Sequence, residues 1–299
     1  MELRTLKYFV TLVDEGTVTA AAKALHVTQP TLSRQLTQME RELGRPLFER
    51  THFGIELTDA GVTLNRHARR ILELADKAEE EVAAPTSAVS GVVHIGAGET
   101  KAMVLLARAM ANVSERYPNV SLEVRDGTAE ALMDDFLHGY FDLLLECDLQ
   151  PHSNLNALEL PIYDTWGVYV QPDSPLAKLD VVTAHDLVDT PVILPAQASH
   201  RAVGAWAGGL INQMDVKATY NLPLNACFLA EEGLGALVCY GGLVSGGDCG
   251  PLVFRELSPR LEAHHGILWR KVRPTRQTQA FLDELRRIVE SEDAAGTNN

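Results

Sequence analysis

The chain has 299 residues, 26 basic against 40 acidic side chains, and a formal net charge of −14 at pH 7. That length holds a small domain plus a larger one, and so acidic a balance excludes a protein that coats nucleic acid with its whole surface. No apolar stretch approaches membrane-spanning length, and no basic segment precedes an apolar core at the N-terminus.

The first elements are helical. Leu3, Leu6, Phe9, Val10 and Val13 predict an opening amphipathic helix. Ala20 to Leu25 is a run of strong helix formers, with Ala21, Ala24 and Leu25 on one side, ended by His26 and Val27. Thr28 is placed to cap the next helix, and Pro30 is tolerated in its first turn. Leu32, Leu36, Met39 and Leu43 then share one stripe. Pro30, Ser33, Arg34, Thr37 and Arg41 fall opposite, with Gln29 on the shoulder. Two short helices joined by a tight turn, the second with a polar and basic outer face, have the shape of a reader of the DNA major groove. Gln pairs with adenine, Arg with guanine, and Ser or Thr with several base edges or a phosphate. For any one residue the plainer reading is a solvated polar side chain. Gly44-Arg45-Pro46 ends the helix. Leu47 to Arg50 and Gly54 to Leu57 read as a small hairpin, a wing around Thr51-His52-Phe53, with Arg50 set to touch a phosphate.

The run RTLKYFVTLVDEGTVTAAAKALHVTQPTLSRQLTQMERELGRPLFER, followed by GIELTDAG, resembles the DNA-binding domain of LysR-type transcriptional regulators over about the first 65 residues. The resemblance implies a winged helix-turn-helix. Base and backbone contacts would come from the segment Thr28, Gln29, Pro30, Thr31, Ser33, Arg34, with Thr37 beyond it, and backbone contacts from the wing through Arg50 and His52. This wing is poorer in basic residues than such wings usually are, so its grip on phosphate is expected to be weaker, or to depend on His52 being charged.

Charge is divided along the chain. Residues 1–70 hold 10 Lys and Arg against 8 Asp and Glu, whereas residues 71–299 hold 16 against 32. The acid is thus kept away from the groove-reading end. Thr58 and Asp59 open a long helix. Leu57, Gly61, Leu64, Ala68, Ile71, Ala75, Ala78 and Val82 repeat on it in steps of four and three, a seam suited to a second copy of the same helix. A helix lying on its own domain is the simpler alternative. The family resemblance places a dimerising linker helix here, and a two-fold dimer would read a palindromic operator on double-stranded DNA. The helix ends near Ala84-Pro85, and Thr86 to Ser90 reads as a hinge.

From Gly91 the pattern alternates. Strands are predicted at Val92–Gly96, Val120–Arg125, Phe141–Glu146, Gly167–Gln171, Pro191–Leu194, Val216–Tyr220, Ala236–Cys239 and Gly266–Arg270. Helices are predicted at Thr100–Arg116, Ala129–His138, around Leu187, and at Ala202–Ile211, Ala226–Glu232 and Thr278–Ser291, with Asp293 to Asn299 a frayed tail. This order implies parallel sheets covered by helices. The stretch resembles the effector-binding part of the same regulators, built like a periplasmic solute-binding protein. The expected fold class is therefore α/β: a winged helix-turn-helix at 1–58, a linker dimerisation helix and hinge at 59–90, and a two-lobed α/β effector domain at 91–299. Lobe I would hold about 91–161 and 266–292, lobe II about 162–265, with crossings near Pro161–Thr165 and Glu262–Gly266.

Ligands of open α/β sheets sit at the carboxyl ends of strands, against helix N-termini. Those positions nominate Glu99, Thr100, Lys101, Thr128, Glu146, Ser199, His200 and Arg201 as effector contacts. For each, a capping or turn role is the alternative. Family members often bind small carboxylates or amino-acid-related metabolites. Arg201 and Lys101 suit an anion, whereas Glu99, Glu146 and Asp148 suit a zwitterion or a cation. Four cysteines, at 147, 227, 239 and 249, show no CxxC or Cys/His metal spacing. They are expected to be reduced and structural, with redox sensing left open because such relatives include peroxide sensors.

Enzyme motifs are lacking. Gly96-Ala97-Gly98 has Lys101 where a dinucleotide loop needs its third glycine, and there is no GxxxxGK[ST], GxSxG or HExxH. The expectation is a cytoplasmic, non-enzymatic DNA-binding regulator without a metal or other cofactor, controlled by a small-molecule effector. It would act as a dimer or, as the family implies, a tetramer, with RNA polymerase a further partner and no membrane association. The alternative is a solute-binding or sequestering protein without a DNA role.

Overall fold

The computed structural model describes residues 2–83, 89–196, 202–243 and 250–296, and divides into two compact units, Met1–Ala84 and Pro85–Asn299. The predicted effector residues Ser199, His200 and Arg201 lie outside the described residues. Among the described residues, no helix is long and apolar enough to cross a membrane.

The first unit begins with α1 (Leu3–Glu15), α2 (Val18–Ala24) and α3 (Gln29–Leu43). The hairpin β1 (Phe48–Thr51) and β2 (Gly54–Leu57) follows, and then α4 (Asp59–Ala83). Leu6, Phe9 and Leu12 of α1 meet Leu32, Leu36 and Met39 of α3 in one core. Two apolar positions depart from the sequence reading. Leu43 is 43% exposed, because Gly44 turns the chain into the left-handed region and Leu47 fills the core instead. On α2, Val18, Ala21 and Ala22 are buried while Ala24 is exposed, since Thr17 caps the helix earlier than expected by accepting from the Ala20 N–H.

The seam on α4 is also corrected in its first half. Gly61 and Ala68 are buried, and Ala68 and Leu64 pack into the unit's own core. Arg69 of α4 pairs with Asp14 of α1. A Cβ on Gly61 would lie 1.9 Å from the Leu47 carbonyl oxygen, so the helix starts in direct contact with the chain entering the wing. Of the seam positions, Ile71 and Val82 in the second half are 38% and 87% exposed, and off the seam Val62 and Leu74 are 57% and 40% exposed.

In the second unit, β3 (Gly91–Ala97), β4 (Val120–Asp126) and β5 (Leu143–Glu146) are parallel, as expected. They are covered by α5 (Met103–Arg116), α6 (Ala129–Leu137) and the returning α9 (Arg276–Gly296). A second layer has β8 (Val192–Pro195) between β9 (Val216–Tyr220) and β10 (Ala236–Tyr240), again parallel, with α7 (Ala202–Ala207) and α8 (Pro223–Glu231). Joining the two are long antiparallel strands. β6 (Leu155–Val170) pairs with β12 (Glu262–Arg270) along its first part, and with β10 and β11 (Val253–Ser258) along its second. The strand order is β4-β3-β5-β12-β6-β10-β8-β9.

Several local expectations are corrected here. The first three-quarters of β6, the edge strand β7 (Val181–Thr183) and β11 were absent from the predicted strands. Leu187 lies in a turn, buried but not helical. Helix α9 runs to Gly296, through residues expected to fray. Cys227 is disulfide-bonded, so the thiols are not uniformly reduced, while Cys147 and Cys239 are in no disulfide.

Candidate functional site

The first candidate site is the outer face of α3. Its N-terminus is set by Thr28, whose extended backbone precedes the helix. The Thr28 hydroxyl does not cap a backbone N–H as expected; it lies 2.8 Å from the Thr31 hydroxyl. Pro30 sits in the first turn, where no N–H is needed. Gln29, Pro30, Thr31, Arg34 and Thr37 are all exposed, on the side opposite Leu32, Leu36 and Met39. Ser33 is half-buried because the wing lies beside it: Arg50 Nη2 donates to Ser33 Oγ at 3.4 Å.

The wing is held by main-chain bonds. The Ile55 N–H donates to the Gly16 carbonyl at 2.9 Å, and the Thr58 N–H to the Leu47 carbonyl at 3.0 Å. Glu40 of α3 accepts from the Leu47 N–H at 2.8 Å. Gly54 has φ +140° and approaches Gly16 so closely that a Cβ would lie 2.4 Å from its carbonyl oxygen. The register pairs Thr51 with Gly54, leaving His52 and Phe53 as a two-residue tip. His52 is exposed there, and Phe53 is 99% exposed. A recognition helix and a wing with Arg50 between them thus form one polar surface, suited to a duplex backbone and its grooves.

The second candidate site is a cavity of about 170 Å³ in the α/β unit. Its walls come from the carboxyl ends of strands in both layers: Gly98 and Glu99 after β3, Thr128 after β4, Glu146 to Asp148 at the end of β5, Ala196 after β8, Asn221 after β9, and Tyr240 of β10. Three of the nominated residues, Glu99, Thr128 and Glu146, line it. Thr128 is also the N-cap of α6 and accepts from the Ala131 N–H. Glu146 is buried and engaged, within 2.9 Å of His152 Nε2 and accepting from the Gln150 N–H at 3.2 Å.

Thr100 and Lys101 are not among the residues of this wall. Thr100 is buried, and its Oγ1 accepts from the Ala102 N–H at 3.1 Å. The Lys101 N–H donates to Asp164 Oδ2 at 3.3 Å, and its side chain extends toward Gly242. Both residues thus shape the turn into α5.

Sequence reasoning missed the aromatic side of the cavity. Trp166, Tyr220 and Tyr240 all line it, and the Trp166 and Tyr240 rings lie 4.2 Å apart. Aromatic residues inside strands read as ordinary core positions, so nothing in the sequence distinguished them. Burial pushes the Cys239 thiol up to about 12, which makes it a poor nucleophile at neutral pH. Burial, with the Asp126 carboxylate nearby, raises the Glu99 carboxyl above the usual range.

Comparison with known proteins agrees with both halves. The model of the LysR substrate binding domain matches residues 86–289, and that of the bacterial regulatory helix-turn-helix protein, lysR family, matches residues 3–62. The uncharacterized HTH-type transcriptional regulator YybE of Bacillus subtilis is 30% identical over 194 residues, covering 65% of this chain and 66% of its own length. The nitrogen assimilation regulatory protein nac of Escherichia coli is 34% identical over 182 residues, covering 60% of this chain and 59% of its own length. The chain therefore aligns with less than two thirds of the length of these curated relatives. The crystal structure of full-length CbnR complexed with its target DNA shares the fold, with a TM-score of 0.72 at 21% identity over 96% of this chain and 100% of that one. With both family models matched in order, the chain belongs to the LysR family, a family of transcription regulators rather than enzymes.

Proposed function

We propose that the chain is a sequence-specific DNA-binding transcription regulator whose activity is set by a small molecule held in the cavity between the two sheet layers. The observation that carries this reading is the exposed face of α3 formed by Gln29, Thr31, Arg34 and Thr37 with Arg50 of the wing beside it. These residues supply both base-edge and phosphate chemistry. Residues 1–58 are the DNA-binding domain, 59–90 the linker and hinge, and 91–299 the effector domain. The exposed Ile71, Leu74 and Val82 of α4 serve to pair two copies, and two paired heads read a palindromic operator. A tetramer that also engages RNA polymerase is the further assembly this reading implies.

Effector control needs two states with different affinity for the ligand. The long strands β6 and β12 support such a coupling, because they run between the two layers whose strand ends wall the cavity. A ligand that bridges Glu99 or Thr128 on one side and Asn221 or Tyr240 on the other favours one relative placement of the layers. The test is a gel-shift titration of the full chain on the fragment upstream of its own gene. Retardation that resists competitor DNA supports the regulator. Its absence, with ligand uptake retained, favours a sequestering protein.

A further inference from the structure

The walls of the cavity carry an uneven charge. Among the described residues that line it there is no Lys, Arg or His, whereas Glu99, Glu146 and Asp148 all contribute. Glu146 is already satisfied by His152 and Gln150. The Glu99 backbone carbonyl accepts from the Cys147 thiol at 3.9 Å, but its carboxylate joins no ion pair among the described residues, and the charge that acts on it is another carboxylate, Asp126. Lys101, two residues along the same loop, directs its ammonium group toward Gly242 rather than pairing with Glu99. Two neighbouring carboxylates without a cation lack the partner that a bound positive charge supplies.

A second observation is independent of the acids. Tyr240 lines the cavity with 9% of its surface exposed. The indole N–H of Trp166, on the same wall, is buried without a hydrogen-bond partner among the described residues. Buried polar groups are nearly always satisfied, so this unpaired donor sets the wall apart from an ordinary core. The Trp166 and Tyr240 rings also offer the faces on which organic cations rest. Apart from Thr128 and Asn221, most of the remaining wall, including Leu132, Met133 and Val203, is apolar. At about 170 Å³ the space resembles cavities of about 150 Å³ that take up benzene-sized groups.

We infer that the effector is a small organic cation, a primary amine on a compact apolar body, with its ammonium group at Glu99 and its body against Trp166 and Tyr240. This rests on the cavity being the effector site proposed above. Three isosteric probes test it on the full chain: benzylamine, benzyl alcohol and benzoate, by calorimetric titration and thermal shift. Benzylamine is expected to bind at least about tenfold tighter than benzyl alcohol, with benzoate weaker still. Glu99→Gln should remove that preference while leaving benzyl alcohol binding within about twofold, which a folding defect would not do. Tyr240→Phe should weaken benzylamine and benzyl alcohol in parallel.

Tighter binding of benzoate, or benzylamine binding no tighter than the alcohol, overturns the cationic class. So does a benzylamine preference unchanged in Glu99→Gln. A gel shift run alongside separates the two claims. If a probe of either charge alters DNA binding, effector control stands whichever charge is preferred. If benzylamine binds as expected but no probe alters DNA binding, the ligand class stands and effector control falls.

Discussion

Asp164 Oδ2 and His265 Nε2 lie 3.2 Å apart, with neither side chain exposed to solvent, where β6 and β12 run side by side. The pair sits against the cavity wall: the Asp148 N–H donates to His265 Nδ1 at 3.4 Å, and the Tyr240 ring meets the imidazole edge-on at 5.9 Å. Burial works to raise the Asp164 carboxyl, but His265, the Thr100 hydroxyl and the Lys101 N–H together outweigh it and hold the pKa below the usual aspartate range.

Removing His265 takes the imidazole away from a buried carboxylate that keeps only the Thr100 hydroxyl and the Lys101 N–H. His265→Leu should therefore cost about 3–5 kcal/mol in urea unfolding of the α/β unit. A loss below about 1 kcal/mol would mean that the pair behaves like a surface contact. Because the folded pKa of Asp164 is depressed, its contribution is fully present above the unfolded value of about 3.9 and is lost as pH falls through the lower folded value. The stability gap between the wild type and Asp164→Asn should shrink over that acid range and stay level at neutral pH.

The start of α4 offers a packing test. A Cβ at Gly61 would meet the Leu47 carbonyl oxygen at 1.9 Å, and neither backbone segment can yield without shifting the wing. Gly61→Ala should destabilise the N-terminal unit by about 1–3 kcal/mol through overpacking, despite the better helix propensity of alanine. A raised melting temperature would contradict this placement.

On the wing, Arg50 is exposed, and among the described residues its guanidinium hydrogen-bonds only Ser33. Arg50→Ala should weaken binding about equally to specific and unrelated DNA, and should reduce the salt dependence of binding by about one phosphate contact. A selective loss on the specific site would assign Arg50 to base reading.

The exposed apolar side chains of α4 predict the assembly. Ile71→Asp combined with Leu74→Asp should shift the full chain to monomers in light scattering, with little change in its circular dichroism, because both positions are already partly solvated. An unchanged oligomer would place the interface elsewhere.

Local chemistry made much of this molecule legible from its sequence. The stripe Leu32, Leu36, Met39 and the turn signals around Gly44 and Gly54 are near-neighbour effects, and they placed α3 and the wing within a residue or two. Ala24 and Leu43 were misplaced because burial there depends on where Thr17 starts one helix and how Gly44 turns the chain out of another. The full length of β6 was hidden because its burial pattern changes along the strand: the first part alternates, and the second is buried on both faces between β10 and β11. Thr100 illustrates the limit at the cavity. Its position after β3 is right for a ligand contact, but the buried Asp164 that engages it lies 64 residues away on β6, a long-range fact that no local pattern carries.

The central claim is that α3 reads base sequence, and Arg34 tests it most directly. Fluorescence anisotropy of the full chain on the upstream fragment and on a scrambled duplex, each at two salt concentrations, gives the specificity ratio. Arg34→Ala is expected to weaken binding to the specific duplex by about 1–3 kcal/mol and leave the scrambled duplex much less affected, so that the ratio collapses. A wild-type ratio near one, or a ratio unchanged by the substitution, would contradict the account.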